Sequence, residues 1–287
     1  YISQNDGTLM TAEFVAQYPV LTFASGPTNS MRGAAYLSGL EDAIVVDIGG
    51  TTADVGVLSG SFPRESTVSV DIGGVRTNFR MPDILAVGLG GGSEVSEDGA
   101  RVGPRSVGYQ LRSRARVFGG DVLTATDIAV AAGYAAIGDA SRVAALPPAV
   151  VERAVARIHA LITEAVDRMK TSAAAMPLIL VGGGAVLVNR AIPGASEVVV
   201  PEHAGVANAI GASIAQVGGE IDKVYAYDNV SREQALEEAK AEACANAVAA
   251  GAAATTVRVV DLEELPLNYM PGNAVRVRVK AAGDLEQ

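Results

Sequence analysis

Two carboxylates, Asp47 and Asp54, flank the tetrapeptide Gly49-Gly50-Thr51-Thr52. Apolar, largely β-branched runs at 43–46 and 55–58 lead into and out of it, which predicts a β-hairpin with a glycine-rich turn. Gly49 and Gly50 free the backbone for positive φ and for close approach of a ligand. Successive N–H groups in such a turn make an anion-binding nest, and the Thr51 and Thr52 hydroxyls add donors for phosphate oxygens. Two acids beside that nest would repel a bare phosphate, so they call for Mg²⁺ or an attacking water between. The competing reading is an ordinary tight hairpin whose threonine hydroxyls are satisfied locally. Against it stands the solvation cost of holding two acids beside a turn without a task for them.

Other stretches have related chemistry. Residues 83–87 run as an apolar strand into Gly88-Leu89-Gly90-Gly91-Gly92-Ser93, and Leu178-Ile179-Leu180-Val181 runs into Gly182-Gly183-Gly184. A fully apolar strand that ends in glycines is expected at the centre of a sheet, with its C-terminal end facing a ligand. Ser25-Gly26-Pro27 opens a helix and is either an anion site or a common turn. Arg112, Arg114 and Arg116 alternate, as on a solvated strand edge or a segment that contacts an anion. Thr124 or Thr126 caps a helix that begins at Asp127.

These pieces sit among helices expected at 11–18, 29–39, 127–133, 149–172, 204–217 and 231–251, where apolar spacing and capping residues agree. Strands are expected at 20–24, across the central hairpin, at 66–72 paired with 75–80, and at 178–181, 198–200, 255–262 and 274–281. The texture changes near Ile221, which divides the chain into a main domain at 1–220 and a small α+β module at 221–287. His159 lies among polar positions and reads as a surface residue. Cys244 reads as core.

The chain has 287 residues, 49% of them hydrophobic, enough for a sizeable core. Its net charge of −10 disfavours non-specific binding to nucleic acid or anionic membranes. The single cysteine excludes an intrachain disulfide, and the two histidines are too far apart in sequence for metal-ligand spacing. No run has the length of a membrane span and no signal peptide is visible, so a cytoplasmic location is expected.

The ordered set of motifs resembles one lobe of the actin-like ATPase (ribonuclease H-like) fold, an α/β class with a mixed sheet and flanking helices. More narrowly it is similar to the A subunit of the hydantoinase/oxoprolinase family. The matches are Asn5-Asp6-Gly7 through Met10, Ser25-Gly26-Pro27, residues 46–57, 88–93, Val102-Gly103-Pro104, 124–127, 180–184, 200–211 and, in the tail, 266–283. The resemblance implies ATP-dependent opening of a cyclic amide such as a hydantoin or 5-oxoproline, with a second subunit as partner and self-association left open. It implies that Asp47 places Mg²⁺, directly or through water, with Asp54 and Asp127 as further catalytic candidates. It also implies that Gly49, Gly50, Thr51 and Thr52 hold phosphates, and that Gly91, Gly92, Ser93, Gly182, Gly183 and Gly184 line the ATP site. Two departures stand out. The family's N-terminal Asp-x-Gly-Gly-Thr hairpin does not precede Tyr1, so residues 1–287 alone are expected to bind ATP weakly. Its Pro-Gly-Pro loop with an aromatic is replaced here by the arginine-bearing stretch 111–117. The readings that compete with the enzyme are a non-catalytic nucleotide-binding or assembly module and an actin-like small-molecule kinase.

Overall fold

A computed structural model describes residues 1–66, 71–72, 74–76 and 79–286. It divides into two compact units, one of residues 26–213 and one of residues 1–25 with 214–287.

The larger unit is built on a six-stranded sheet of β1 (Ala43–Ile48), β2 (Ala53–Ser59), β3 (Ile84–Val87), β4 (Met176–Val181), β5 (Ala195–Val199) and the two-residue strand Phe62–Pro63, which pairs with the end of β2. The order of the numbered strands across the sheet is β3-β2-β1-β4-β5. The second strand, β2, runs antiparallel to both of its neighbours, β1 and β3, whereas β4 runs parallel to both β1 and β5. The expected adjacent hairpin strands and central apolar strand are both present. In β1 and β4 the alternation of the strand sends side chains to two dry faces. Ile44, Val46, Ile48, Leu178 and Leu180 join one core cluster with Ala154, Val155, Ile158, Ile162 and Val166. Val45, Ile179 and Val181 join another with Met31, Ala34 and Ala207.

Four helices flank this sheet unit: α1 (Ser25–Ser38), α2 (Ala125–Ala131), α3 (Pro148–Met169) and α4 (Ala207–Ser213). The long helix is continuous as its apolar spacing predicts, and Pro148 occupies its first turn, where a missing N–H costs nothing. Helices α1 and α4 meet through glycines. A Cβ on Gly33 would lie 1.9 Å from the Ala207 carbonyl oxygen, and one on Gly211 1.8 Å from that of Asn29.

The smaller unit is a sheet of β6 (Gln216–Ala226), β7 (Arg258–Pro266) and β8 (Ala274–Gly283), extended by Thr8–Met10 and Ile2–Ser3. Helix α5 (Arg232–Ala249) covers it with Ala239, Ala243 and Ala247. Its N-terminus is a reciprocal cap between Ser231 and Gln234, as the sequence predicts.

Several expectations are corrected. The helix expected at 204–217 ends at Ser213, and the expected boundary at 220/221 falls inside β6. Residues 1–25 fold with the C-terminal segment rather than with the main domain. The strand expected at 20–24 is a 3-10 turn, Pro19–Thr22, whose Pro19 ring fixes a helical φ and whose Thr22 hydroxyl donates to the Pro19 carbonyl at 2.8 Å. His159 is buried, because it extends the apolar stripe of Val155 and Ile162 on α3. Burial, and then the neighbouring Arg190 charge, push its pKa down. Of the hairpin expected at 66–72 and 75–80, Asp71–Ile72 pairs with Val75–Arg76; positions 67–70, 73, 77 and 78 lie outside the described residues.

Candidate functional site

The four residues Gly49, Gly50, Thr51 and Thr52 connect β1 to β2. The Gly49 N–H donates to the Thr52 carbonyl at 2.9 Å and closes the turn. Gly50, Thr51 and Thr52 are exposed, and the space beside Gly50 is open to beyond 4 Å. Neither threonine hydroxyl has a partner among the described residues.

Two other glycine loops meet this turn. The Gly91 N–H donates to the Gly49 carbonyl at 3.0 Å and the Gly92 N–H to the Gly50 carbonyl at 2.7 Å. A Cβ on Gly90 would come within 2.5 Å of the Thr51 nitrogen, so only glycine lets this loop lie against the hairpin tip. From the other side, the Gly184 N–H donates to the Ile48 carbonyl at 2.7 Å. Gly183 is exposed and faces open space. The structure therefore brings Gly49–Thr52, 90–93 and 182–184 together at one edge of the sheet.

These glycines do not all have the same relation to the surface. Gly91, Gly92 and Ser93, candidates for direct contact with a cofactor, are buried. Their N–H groups serve the hairpin, and the Ser93 hydroxyl accepts the Gly90 N–H at 2.9 Å. They buttress the turn, while Gly50, Thr51, Thr52 and Gly183 present its surface. Asp127 is likewise corrected to a structural role. It is fully buried; its Oδ2 accepts the Thr124 N–H and hydroxyl at 2.7 and 2.8 Å, and its Oδ1 accepts the Val117 N–H at 2.7 Å. That occupies the carboxylate within the fold and leaves no role for it at the hairpin. Its neighbour Thr126, read from the sequence as an alternative helix cap, holds the Gly91 carbonyl through both its N–H and its hydroxyl, at 2.9 and 2.8 Å. Only tertiary structure reveals that contact.

The two acids are directly opposite in register, Asp47 against Asp54. Burial, and then the Asp47 charge, push Asp54 above the ordinary carboxylate range. A raised folded-state pKa means that the native state loses stability as pH rises through the carboxylate range and Asp54 ionises. Asp54→Asn should therefore raise neutral-pH stability by about 0.5–1 kcal/mol, the scale of a like-charge cross-strand pair. It should also flatten the stability–pH profile between about pH 4 and 7, and thermal melts across that range check both. Gly182 sits at φ +83°, and a Cβ there would lie 2.3 Å from Asp47 Oδ1. Gly182→Ala is expected to cost about 1–3 kcal/mol through backbone strain, and to displace the Asp47 carboxylate; denaturant titration of the variant measures the loss.

The sheet order and the hairpin with its glycine loops define an α/β lobe with a mixed sheet and flanking helices. Over residues 1–139 the chain matches the hydantoinase/oxoprolinase family model. It is 36% identical over 120 residues to the acetophenone carboxylase gamma subunit of Aromatoleum aromaticum, covering 39% of this chain and 16% of that one. It is 30% identical over 141 residues to the caprolactamase subunit alpha of Pseudomonas jessenii, covering 47% and 20%. Among solved structures, ATP-dependent caprolactamase from Pseudomonas jessenii superposes with a TM-score of 0.66 at 19% identity, over 99% of this chain and 53% of that one. Nucleotide-free acetone carboxylase superposes with a TM-score of 0.63 at 17% identity, over 99% and 52%. The chain thus spans a fifth or less of the curated relatives and about half of the solved ones. Among the described residues no helix is long and apolar enough to cross a membrane.

Proposed function

We propose that the edge formed by Gly49–Thr52, 90–93 and 182–184 binds Mg·ATP in a cytoplasmic enzyme that opens a hydantoin or lactam ring as ATP is hydrolysed. The observation that carries this reading is the meeting of three glycine loops beside the opposed Asp47–Asp54 pair. Exposed Gly50, Thr51 and Thr52 offer main-chain and hydroxyl donors to phosphate oxygens. Gly183 leaves room for a nucleoside against the backbone.

The residues fit Mg²⁺ shared with a nucleotide. This ion commonly takes one or two carboxylates and fills its sphere with phosphate and water. Among the described residues no group of three or more acidic, histidine or cysteine side chains could cage it alone. Asp47 would hold the ion, directly or through water, with Asp54 beside it; there the ion would neutralise phosphate charge. An unactivated lactam is a poor electrophile. Transfer of the γ-phosphoryl group to its carbonyl oxygen breaks the bond to ADP. Water then adds at the carbon and the C–N bond breaks, the nitrogen leaving as the protonated amine and the carbon remaining as an acyl phosphate; a second water attacks that carbon, and phosphate leaves with the former carbonyl oxygen. The relatives' subunit names support a partner subunit in this reaction.

A second reading is favoured by the carboxylase among the relatives. There the same phosphoryl transfer would activate an oxygen for C–C bond formation. The deciding experiment measures phosphate release from Mg·ATP with hydantoin, 5-oxoproline or caprolactam, and with a ketone plus hydrogencarbonate. Release that requires the cyclic amide supports the first reading. Release that requires the ketone and hydrogencarbonate supports the second. Hydrolysis independent of any acceptor would instead indicate a nucleotide switch, and transfer to a hydroxyl would indicate a kinase.

A further inference from the structure

The arginine run 112–116, read from the sequence as a solvated strand edge or an anion-contacting segment, lies in a stretch, 106–117, that coils into a 3-10 turn, Gly108–Gln110, and one helical turn, Leu111–Arg114. Local hydrogen bonds impose this: the Leu111 N–H donates to the Gly108 carbonyl and the Ala115 N–H to that of Leu111. Both ends are pinned behind the Gly-Gly-Thr-Thr hairpin. At one end the Val107 N–H donates to the Gly92 carbonyl at 2.9 Å, and the Ser106 hydroxyl donates to that of Gly50 at 3.5 Å. At the other, the Arg116 and Val117 N–H groups donate to Asp127, next to the Thr126 that holds Gly91.

The charges along this loop fall into two groups. Arg105 and Arg116 are paired with Glu94 and Glu97. Arg112 and Arg114 have no partner among the described residues, and of the two Arg112 is exposed while Arg114 is half-buried. Three residues before Arg112, Tyr109 is 97% exposed. Tyr109 in the 3-10 turn and Arg112 in the helical turn that continues it are three residues apart, the spacing that puts side chains on one side of either kind of coil. A guanidinium fork with a neighbouring hydroxyl donor matches the geometry of a planar oxyanion. On a chain of net charge −10, an unpaired pair of this kind tied to the hairpin marks a place for a negatively charged ligand.

We infer that Tyr109 and Arg112 are specificity-determining residues that bind a carboxylate-type oxyanion of the second substrate, a carboxylate or hydrogencarbonate, beside the hairpin site. This rests on the reading of that site as the nucleotide site. It assigns the nucleotide's phosphates to the hairpin and the second substrate's anion to this loop.

The test is calorimetric titration of the wild-type protein and of Arg112→Gln and Tyr109→Phe with benzoate, hydrogencarbonate, orthophosphate and Mg·ADP in separate arms. Both positions are exposed, so the variants should fold, and circular dichroism checks that they do. The expected result is that Arg112→Gln weakens benzoate or hydrogencarbonate binding at least about tenfold, the loss of one charge-assisted hydrogen bond. Tyr109→Phe should weaken it severalfold, and Mg·ADP affinity should stay the same. The inference is overturned if the wild type binds neither carboxylate probe, if Arg112→Gln binds them as the wild type does, or if the variant loses orthophosphate or Mg·ADP instead. Absence of Mg·ADP binding in every version, with the carboxylate response intact, would overturn the nucleotide reading and leave the oxyanion assignment standing.

Discussion

Asp47→Ala is expected to lower acceptor-dependent ATP turnover by at least about a hundredfold, the scale seen when one group that stabilises developing charge is removed. The argument starts from the register. Asp47 stands on β1 directly opposite Asp54, and its Oδ1 lies against Gly182, so its position is set by two neighbouring strands and a glycine loop. Like charges opposite one another are unfavourable in a sheet, and burial, followed by the Asp47 charge, pushes Asp54 upward. Removing either carboxylate should leave the fold as stable or more stable, so lost turnover could not be ascribed to unfolding. Asp47→Asn separates charge from shape: it keeps the side chain's volume and should lose activity nearly as fully. Steady-state kinetics beside thermal melts make the check. Turnover within a few-fold of wild type in Asp47→Ala would move the metal and the phosphates away from this hairpin.

The centre of the fold was legible because its signals are local and strong. Apolar β-branched runs on either side of Gly49-Gly50 can hardly be anything but paired strands, and the spacing from Val150 to Met169 is that of one helix. What escaped were features decided by partners distant in sequence. β6 pairs with β8 over ten residue pairs, and Gly219 in it lies under α5, where a Cβ would meet the Ala247 nitrogen at 2.2 Å. In the sequence Gly218-Gly219 looked like the end of a helix. His159 looked polar beside Arg157 and was buried by the segment that follows the 182–184 loop. At the site, the glycines were found by residue type, but type does not separate a glycine that touches a ligand from one that touches another loop. Gly50 and Gly183 have open space beside them, whereas Gly90 and Gly92 lie against the hairpin. Asp127 was drawn into the candidate set by its charge, and its capping geometry takes it out.

Lys280→Ala is expected to destabilise the smaller unit by about 3–5 kcal/mol, the cost of leaving a buried charge without its partner. Lys280 on β8 is 8% exposed and Asp6 7% exposed, and the Lys280 ammonium stands 2.6 Å from Asp6 Oδ2. The other oxygen, Oδ1, accepts the Thr8 N–H at 2.8 Å and the Thr8 hydroxyl at 2.6 Å. Gly218 on β6 makes room for that threonine, since a Cβ there would lie 2.6 Å from its hydroxyl. Burial by itself would raise the Asp6 pKa, but the Lys280 charge and the Thr8 donors outweigh it and hold the carboxyl below its ordinary range. A depressed folded-state pKa makes the pair's contribution complete above about pH 4 and progressively lost as pH falls further. Lys280→Ala should abolish that acid-side slope as well as lower stability at neutral pH. The double variant Asp6→Asn with Lys280→Met, which leaves neither charge, should recover a large part of the loss. Denaturant titration of the wild type, Asp6→Asn, Lys280→Met and the double variant between about pH 3 and 7 yields the coupling energy directly. A Lys280→Ala loss below about 1 kcal/mol, the level of an exposed pair, would show that water reaches this carboxylate and that residues 1–25 are held to the C-terminal sheet by its strand pairing alone.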